Sequence, residues 1–589
     1  MSQNEPARRP RIPRSKAGKI LLNLVITAIL GAIYFYVSLP ALNFQSSDFY
    51  VFIGLLCVIY FICALVTSGF HMENSGPREY FTFIKKQCLP VGVIFAAIIV
   101  IGIVGSILSA PIFRAGAYRE LLDVETGDFA TDVTEISFDE IPLLDEDSAK
   151  RLGTTQMGTL PDMVSQFEVS DDYTQINYLG RPVRVAPLEY ADLIKWFTNR
   201  SNGLPAYIVV DMVTQEVQVV RLPEGQGMKY SPSEPLNRNI SRHLRFHYPT
   251  FMFSTPTFEI DEEGNPWWIC PRVVKRIGLF GGTDIQGAVM VNAVTGESEY
   301  CEEVPNWVDR VYLASLICQQ YDYHGTLVNG WLNSVFGQRD VTVTTDGYNY
   351  IALNDDVYMY TGVTSVSSDQ SNLGFLLSNQ RTKETKFYPA PGATEYSARV
   401  SAEGAVQDLR YVSTFPLLLN IAGEPTYFMA LKDANQLVKQ YAMVNVSQYS
   451  TIVSTANTVA ACEQEYLRLL SEKGVTAPEE LPQTTAQGVI AEIRTAVMDG
   501  NSYYFIRLEG EEVFYSILST DNEIAVILNA GDRVTIEHAP SVEGAASSIL
   551  DGYTVTLDGR AAPEPSPSPA EASPSPVPEP SPSPEAAAE

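Results

Sequence analysis

Val291-Asn292-Ala293-Val294-Thr295-Gly296-Glu297-Ser298 is one of three copies of a short pattern: Asp or Asn, two residues, Thr, one residue, Glu. Val210-Asp211-Met212-Val213-Thr214-Gln215-Glu216-Val217 is the first copy, and Ser378-Asn379-Gln380-Arg381-Thr382-Lys383-Glu384-Thr385 is the third. Each follows an apolar run, at 206–210, 288–291 and 374–377, and leads into a polar or strand-like one. An Asp or Asn side chain opens a turn by accepting backbone N–H groups just ahead of it, and Thr supports the turn. Each copy therefore predicts a β-hairpin. The acidic or amide residues stand at 211, 292 and 379, a domain-scale spacing rather than a solenoid period.

Around the copies, residues 165–453 are dense in Tyr, Phe and Trp, with strand-like runs and turn signals. Helical stripes are expected at 307–319 (Val308, Val311, Tyr312, Leu316) and 394–408, after the second and third copies. A further one, at 187–197 (Leu188, Leu193, Trp196), precedes the first. A fourth, degenerate hairpin is expected over 426–446, through Lys432-Asp433. This α+β hairpin-plus-helix pattern resembles PepSY-type modules, small units found outside bacterial membranes with a Thr-Gly hairpin; Asn292 to Glu297 carries the Thr-Gly. The chain as a whole resembles multi-pass membrane proteins of Gram-positive anaerobes, a likeness that implies no activity.

Upstream lie three apolar stretches without internal charge, at 20–39, 50–66 and 89–108. A bilayer core of about 30 Å needs about 20 apolar helical residues, so 20–110 reads as three transmembrane helices. Arg8, Arg9, Arg11, Arg14, Lys16 and Lys19 precede the first, the loop 40–48 has no Lys or Arg, and the next loop carries Arg78, Lys85 and Lys86. The positive-inside rule puts the basic tail 1–19 in the cytoplasm and everything after about 111 outside. A cleaved signal peptide fits less well: the first span is longer than the usual apolar region, and no A-x-A site follows.

Residues 1–112 hold 9 basic and 4 acidic side chains, and the rest hold 31 and 65. An ectodomain this acidic excludes nucleic acid as a partner, because phosphate binding needs clustered Lys and Arg. It also opposes lying flat on anionic lipid. Cys270, Cys301, Cys318 and Cys462 are too few for a disulfide scaffold. One bridge, for instance Cys270–Cys301, stays open beside the favoured reading of buried free thiols.

Residues 111–164 read as an acidic stalk, with a short strand or extended stretch at 138–144. Residues 454–482 read as an amphipathic helix, 454–473, and a linker marked by Pro478 and Pro482. In 483–560, strands are expected at 489–497, 502–508, 512–517, 524–528 and 532–538. Gly488-Val489-Ile490, Gly500-Asn501-Ser502-Tyr503-Tyr504 and Gly531-Asp532-Arg533-Val534-Thr535-Ile536 give this segment a layout that resembles a small OB-type barrel. Arg494, Arg507 and Arg533 are its only basic residues over 487–557, which favours an adaptor role over oligonucleotide binding. The Pro/Ser/Glu-rich tail 561–589 cannot build a core.

No G-x-S-x-G, H-E-x-x-H or P-loop pattern is present. His243 and His247 would share a helix face, yet Leu244 stands where a zinc protease needs Glu. Residues 278–284 are glycine-rich and read as a turn. Asp261 to Asn265 reads as a hairpin turn rather than a calcium loop. Glu395 with Glu403, or Asp355 with Asp356, could pair for glycoside cleavage. Trp267, Trp268, Trp307 and Trp331 could stack on glycans, with core packing the default. No catalytic, cofactor-binding or metal residue is assigned, and no cofactor. The expected function is a membrane-anchored extracytoplasmic scaffold or sensor of the cell envelope, acting on an envelope protein partner. Wall-glycan binding or processing is the alternative.

Overall fold

The computed structural model describes residues 16–69, 77–135, 141–353, 355–366, 371–475, 484–498, 501–519, 522–538 and 549–560. Two compact units divide the chain, 1–476 and 477–589. The first opens with helices α1 (Lys16–Ser38), α2 (Ser47–Gly69) and α3 (Pro77–Ser109), and all three are long and apolar enough to cross a membrane. Leu24, Ile33, Phe61, Ile99 and Ile103 are exposed on their outer faces. Inside the bundle several polar side chains bond to one another. Thr67 Oγ1 donates to Asn23 Oδ1 (3.0 Å), and Gln87 Nε2 donates to Ser68 Oγ (3.0 Å). Such bonds hold apolar helices together where no water can serve as partner.

Four copies of one α+β unit follow, not three. Each is a helix and then a five-stranded antiparallel sheet. In every sheet the first and second strands share one edge of the third, the fourth lies on its other edge, and the fifth pairs with the fourth. The first unit has helix Glu146–Gly158 and strands Phe167–Val169, Thr174–Tyr178, Arg181–Tyr190, Ala206–Asp211 and Val217–Arg221. The second has Ile240–His247, then Met252–Phe253, Thr257–Ile260, Pro266–Ile277, Gly281–Asn292 and Ser298–Cys301. The third has Ala314–Thr326, then Thr342–Thr344, Asn349–Leu353, Asp356–Ser365, Ser371–Asn379 and Thr385–Ala393, with Glu125–Thr126 added in parallel at its edge. The fourth has Glu395–Ala405, then Val412–Ser413, Leu417–Ile421, Glu424–Lys432, Val438–Asn445 and Val453–Ala456.

The repeated turn joins the fourth and fifth strands. Oδ1 of Asp211 accepts from the amides of Val213 and Thr214, Oδ1 of Asn292 from Val294 and Thr295, and Oδ1 of Asn379 from Arg381 and Thr382. Gln215, Gly296 and Lys383 close these turns at φ +63°, +77° and +70°, so the three share one backbone geometry although only one has glycine. In the fourth unit the counterpart is Asn445, whose Oδ1 accepts from the amide of Gln448 across a longer turn. The expected hairpin through Lys432-Asp433 exists, but it joins the third and fourth strands and is not the repeat's equivalent.

The first and second sheets share one apolar core, which includes Val185, Ile208, Phe258, Trp268 and Val291. Helix Ala314–Thr326 packs Ala314, Ile317 and Tyr321 against Met359, Val363 and Leu376 of the third sheet. Helix Val459–Glu472 covers the fourth sheet through Cys462, Tyr466 and Leu470, and Gly474 at φ +68° ends it.

Several sequence expectations move. The described parts of 111–164, residues 111–135 and 141–164, are folded rather than a stalk: helix Pro111–Arg119 packs on Ala314–Thr326, and Leu122, Leu144 and Ala149 are buried. Residues 136–140, part of the strand expected at 138–144, lie outside the described residues. The helix expected at 307–319 begins only at Ala314, because the amides of Asp309 and Arg310 are taken by the Glu259 carboxylate and those of Val311 and Tyr312 by the Gln380 carbonyl. At 187–197, strand Arg181–Tyr190 gives way to a short helix, Leu193–Asn199, capped by Asp192.

The second unit is a closed barrel of strands Thr484–Met498, Asn501–Leu508, Phe514–Leu518, Arg533–His538 and Ile549–Gly559. The third strand pairs with the fifth in parallel. The fifth strand is Ile549–Gly559 and not 524–528, which forms part of a 3-10 turn, Glu523–Ile527, with Ala525 inside and Val526 and Ile527 exposed. The tail 561–589 lies outside the described residues.

Candidate functional site

Two features of the first unit combine position with unusual chemistry. The first is the joint between the repeat array and the apolar helices. The loop after α1 and the end of α3 meet the second repeat. The amide of Leu42 donates to Pro249 O (2.8 Å), Asn43 Nδ2 to Thr250 O (2.9 Å) and Gln45 Nε2 to Lys275 O (3.0 Å). Arg245 Nε donates to Leu39 O (2.9 Å), and Arg242 Nε to Tyr36 O (3.2 Å), with the Arg242 guanidinium over the Tyr36 ring. The glycine-rich turn 278–284 is the hairpin between Pro266–Ile277 and Gly281–Asn292, and it docks on α3. Ser109 Oγ accepts from the amides of Leu279 (2.9 Å) and Phe280 (3.1 Å). Gly278 has φ +60°, and a Cβ there would stand 2.4 Å from Ser109 Oγ, so both geometry and space call for glycine.

The second feature is a polar cavity of about 450 Å³ where the first, third and fourth repeats meet. Arg184 of the first repeat, Tyr348 and Tyr350 of the third, Phe415 and Phe428 of the fourth, and the first turn of helix Glu146–Gly158 line it. A neighbouring cavity of about 280 Å³ shares Glu146, Tyr348 and Tyr350 and adds Arg310. Alternation along Arg181–Tyr190 sends Val183 and Val185 into the apolar core and Arg184 to the opposite face. There it sits opposite Gln175 on the hairpin. Arg184 is 6 % exposed and forms no ion pair among the described residues. Its Nη2 has only a 3.5 Å contact with Gln175 Oε1, and its Nε has no partner. Burial, opposed by the charges of Glu146 and Asp145 and helped by that of Arg310, pulls its pKa below the ordinary guanidinium value.

The nearby acids are committed elsewhere. Asp145 caps the helix through Ser148 and pairs with Lys432 of the fourth repeat. Burial alone would raise the Asp145 pKa, but the bonds from Lys432 and Ser148 hold it below the usual range. Glu146 pairs with Lys150 at 2.9 Å. Two carboxyls beside the Arg310 backbone are buried. Glu259 is 0 % and Asp309 2 % exposed. Glu259 accepts the amides of Asp309 (2.8 Å) and Arg310 (3.0 Å), and Asp309 Oδ2 accepts the amide of Asn177 (2.6 Å). Burial pushes Glu259 up to about 7, and burial together with the Glu259 charge raises Asp309. A larger cavity of about 500 Å³ on the first two repeats contains Arg181, Asp211 and Arg221, but these are already neutralised by the Arg181–Asp211 and Arg221–Asp162 pairs.

The residues singled out in the sequence do not converge. His243 and His247 stack with ring centroids 4.1 Å apart, His247 Nδ1 bonds to His243 O (2.8 Å), and Tyr230 packs on His243. No group of three His, Cys, Asp or Glu side chains that could hold a metal occurs among the described residues. Asp261 spends its carboxylate on Asn265 and the Trp267 indole. Asp356 forks onto Arg381, while Asp355 accepts from Asn177 Nδ2. Glu395 is buried against the amide of Gly362, and Glu403 holds Ser413. Eight residues apart on one helix, these two are separated by about 12 Å of rise. Trp268 is buried, and Trp267, Trp307 and Trp331 are half-buried. In the barrel, Arg494 and Arg507 both pair with Glu492 and lie over Phe514. Arg184 carried no sequence signal beyond being the one charge in the run 182–188.

No protein-family model matches the chain, and no curated protein sequence matches it.

Proposed function

We propose that the chain is a membrane-anchored extracytoplasmic scaffold or sensor of the cell envelope, acting through contact with another envelope protein. The observation that carries this reading is the joint at Ser109, Gly278, Leu39 and Arg245. A state change in the repeat array would reach the apolar helices through bonded backbone rather than through a loose tether. The basic flanks favour a cytoplasmic N-terminus. The loop after α1 and the end of α3 meet the same repeat, which fits two spans between them. In this reading the four repeats are PepSY-like modules, and the barrel is an OB-like adaptor whose paired arginines leave little positive surface for nucleic acid.

Glycan binding or processing has weaker support, because none of the four tryptophans named for stacking is exposed. The two carboxylate pairs named from the sequence, Glu395 with Glu403 and Asp355 with Asp356, are already bonded within the fold. In-cell crosslinking of the tagged full-length protein, followed by solubilisation and mass spectrometry, tests the proposal. One stoichiometric envelope protein is the expected product. Wall fragments without a protein partner would overturn it in favour of glycan binding.

A further inference from the structure

We propose that the first and second repeats seat an apolar edge in the lipid of the outer leaflet, beside the ends of α1 and α3. This rests on the reading of α1–α3 as membrane spans. It goes beyond that reading by giving the repeat array a lipid contact of its own.

The second repeat already reaches membrane height. Phe246, on helix Ile240–His247, is 54 % exposed, while Leu244 on the same helix is buried. Its ring lies edge-on to Phe35 (centroids 5.8 Å) and 6.2 Å from Tyr36, both in the last turn of α1. The hairpin tip goes as deep. A Cβ on Gly105 would stand 2.7 Å from Phe280 Cε2. Gly105 lies about 6 Å, one helical turn, before Ser109 at the end of α3. The Phe280 ring is also edge-on to Tyr50 (5.6 Å), in the first turn of α2. Side chains packed on the last turn of a span stand where aromatic belts meet the bilayer surface.

Helix Leu193–Asn199 continues this edge into the first repeat. Tyr36 Oη donates to Asn237 Oδ1 (3.0 Å), and Arg238 Nη1 donates to Arg200 O (2.7 Å). The Arg200 guanidinium lies 4.6 Å from the Phe197 ring centroid. The end of α1 is thus linked to the end of this helix. Trp196 turns inward and gives its indole N–H to Glu234 Oε2 (2.6 Å). Leu193, Ile194 and Phe197 share the outer side, and all three are exposed. A short helix with its apolar side outward and an arginine beside it has the composition of an interfacial anchor.

Lipid is the occupant because this edge is continuous with side chains that pack on the spans. After residue 112 the chain holds 31 basic and 65 acidic side chains, which opposes anionic headgroups. Apolar side chains, not charge, therefore make the contact, and a neutral bilayer receives it.

The test uses full-length protein in phosphatidylcholine vesicles, with p-benzoylphenylalanine in place of Phe197, Phe246, Ile99 or Tyr396, one at a time. Irradiation captures whatever covers each position, and mass spectrometry identifies the adduct. Ile99 is exposed on α3 and reports the span, while Tyr396 is exposed on the fourth repeat and reports solvent. Phosphatidylcholine adducts at 197 and 246 should exceed those at 396 by about tenfold or more, since an interfacial face lies within the headgroup and acyl boundary. Raising salt from about 0.1 M to about 1 M should leave them unchanged, because screening does not weaken apolar contact. If the protein altered at 246 fails to fold, the exposed position 197 carries the test. No lipid adduct at 99 would overturn the membrane reading and this proposal with it. Lipid at 99 but no more at 197 than at 396, or a crosslink from 197 to a second copy of the chain, would overturn this proposal alone.

Discussion

The amide of Val446 donates to the carbonyl of Pro425 at 3.1 Å, and the same bond recurs in every repeat: Met212 to Pro182 (3.1 Å), Ala293 to Pro266 (3.0 Å) and Gln380 to Val357 (2.9 Å). Each donor follows the turn-opening Asp or Asn, and each acceptor lies at the start of the third strand. The carbonyl of that donor residue in turn accepts from the segment leading to the repeat's own helix, through Leu143, Lys229 and Tyr230, Val311 and Tyr312, or Ala393. One residue thus ties hairpin, strand and helix together, which explains why the Asp or Asn before it recurs.

Asn445 should therefore be the costliest of the four to remove. It is fully buried, accepts from Gln448 N and Ser447 Oγ, and donates to Tyr466 Oη (3.2 Å). Asn445→Ala leaves those groups unpaired inside the fourth repeat and should cost about 2–3 kcal/mol, against about 1 kcal/mol for Asp211→Ala at a more open turn. Thermal unfolding of the two variants would check this; an Asp211→Ala loss as large as that of Asn445→Ala would count against it.

Much of this order is visible in the sequence once the right residues are compared. Gly180-Arg181-Pro182, Gly264-Asn265-Pro266 and Gly423-Glu424-Pro425 mark the third strand of three repeats, and the third repeat has Asp355-Asp356-Val357 instead. The Thr-x-Glu half of the hairpin pattern is missing after Asn445, which hid the fourth copy behind the Lys432-Asp433 turn. Val308 and Val311 are buried, but an apolar stripe does not separate a helix from a loop pinned by Glu259 and Gln380. The apolar run at 524–528 is too short for its pattern to choose between a strand and a 3-10 turn. The Arg184 cavity was not legible at all, because three repeats far apart in sequence build its walls.

Leu179 and Ala422 open the tight turns between second and third strands at φ +53° and +52°, each followed by a glycine at φ +76°. Both residues carry a Cβ into the left-handed region, and Leu179 also exposes its side chain. Leu179→Asn and Ala422→Asn should each stabilise the protein by about 0.5–1 kcal/mol, since Asn-Gly suits this turn. A fall in the unfolding midpoint of Leu179→Asn would rule the argument out.

The joint with the apolar helices can be loosened without touching the repeats' cores. Ser109→Ala removes the hydroxyl that accepts from Leu279 and Phe280. Losing about 1.4 kcal/mol of local bonding speeds amide exchange about tenfold. Exchange measured by mass spectrometry should rise at 278–281 and stay level at Trp268. Gly278→Val should do more, since its φ and the Ser109 contact both resist a side chain. Unaltered exchange in Ser109→Ala would mean the docking is not held by these bonds.

All seven cysteines are free. Cys270 and Cys301 lie on the third and fifth strands of the second sheet with the fourth between them, about 9.5 Å apart at two strand spacings. That exceeds the roughly 7 Å a disulfide can span. Burial raises the thiol pKa of Cys270 and pushes those of Cys318 and Cys462 up to about 12. Denatured protein prepared without reductant should titrate as seven thiols, and native protein should react slowly at Cys270, Cys318 and Cys462. A count of five would indicate a bridge.

The Glu259–Asp309 pair makes a pH dependence with a definite sign. An unfolded Glu releases its proton near pH 4.3, whereas burial holds the Glu259 proton to about pH 7. Between those values the folded state binds the extra proton, so this group's stabilisation is complete below the unfolded pKa and is lost as pH rises toward 7. His243 works the other way. Burial, aided by the charge of His247, lowers it to about 4, so the unfolded chain takes up its proton first and stability rises with pH from about 4 to 6.5. The two slopes partly cancel in the wild type. Glu259→Gln keeps the side chain's shape and removes its titration while Asp309 still opposes the His243 slope, so its unfolding midpoint should climb more steeply, or fall less, than the wild type's from pH 5 to 6.5. His243→Asn should instead fall over the same interval. Parallel curves for all three proteins would show that neither group retains its buried protonation state.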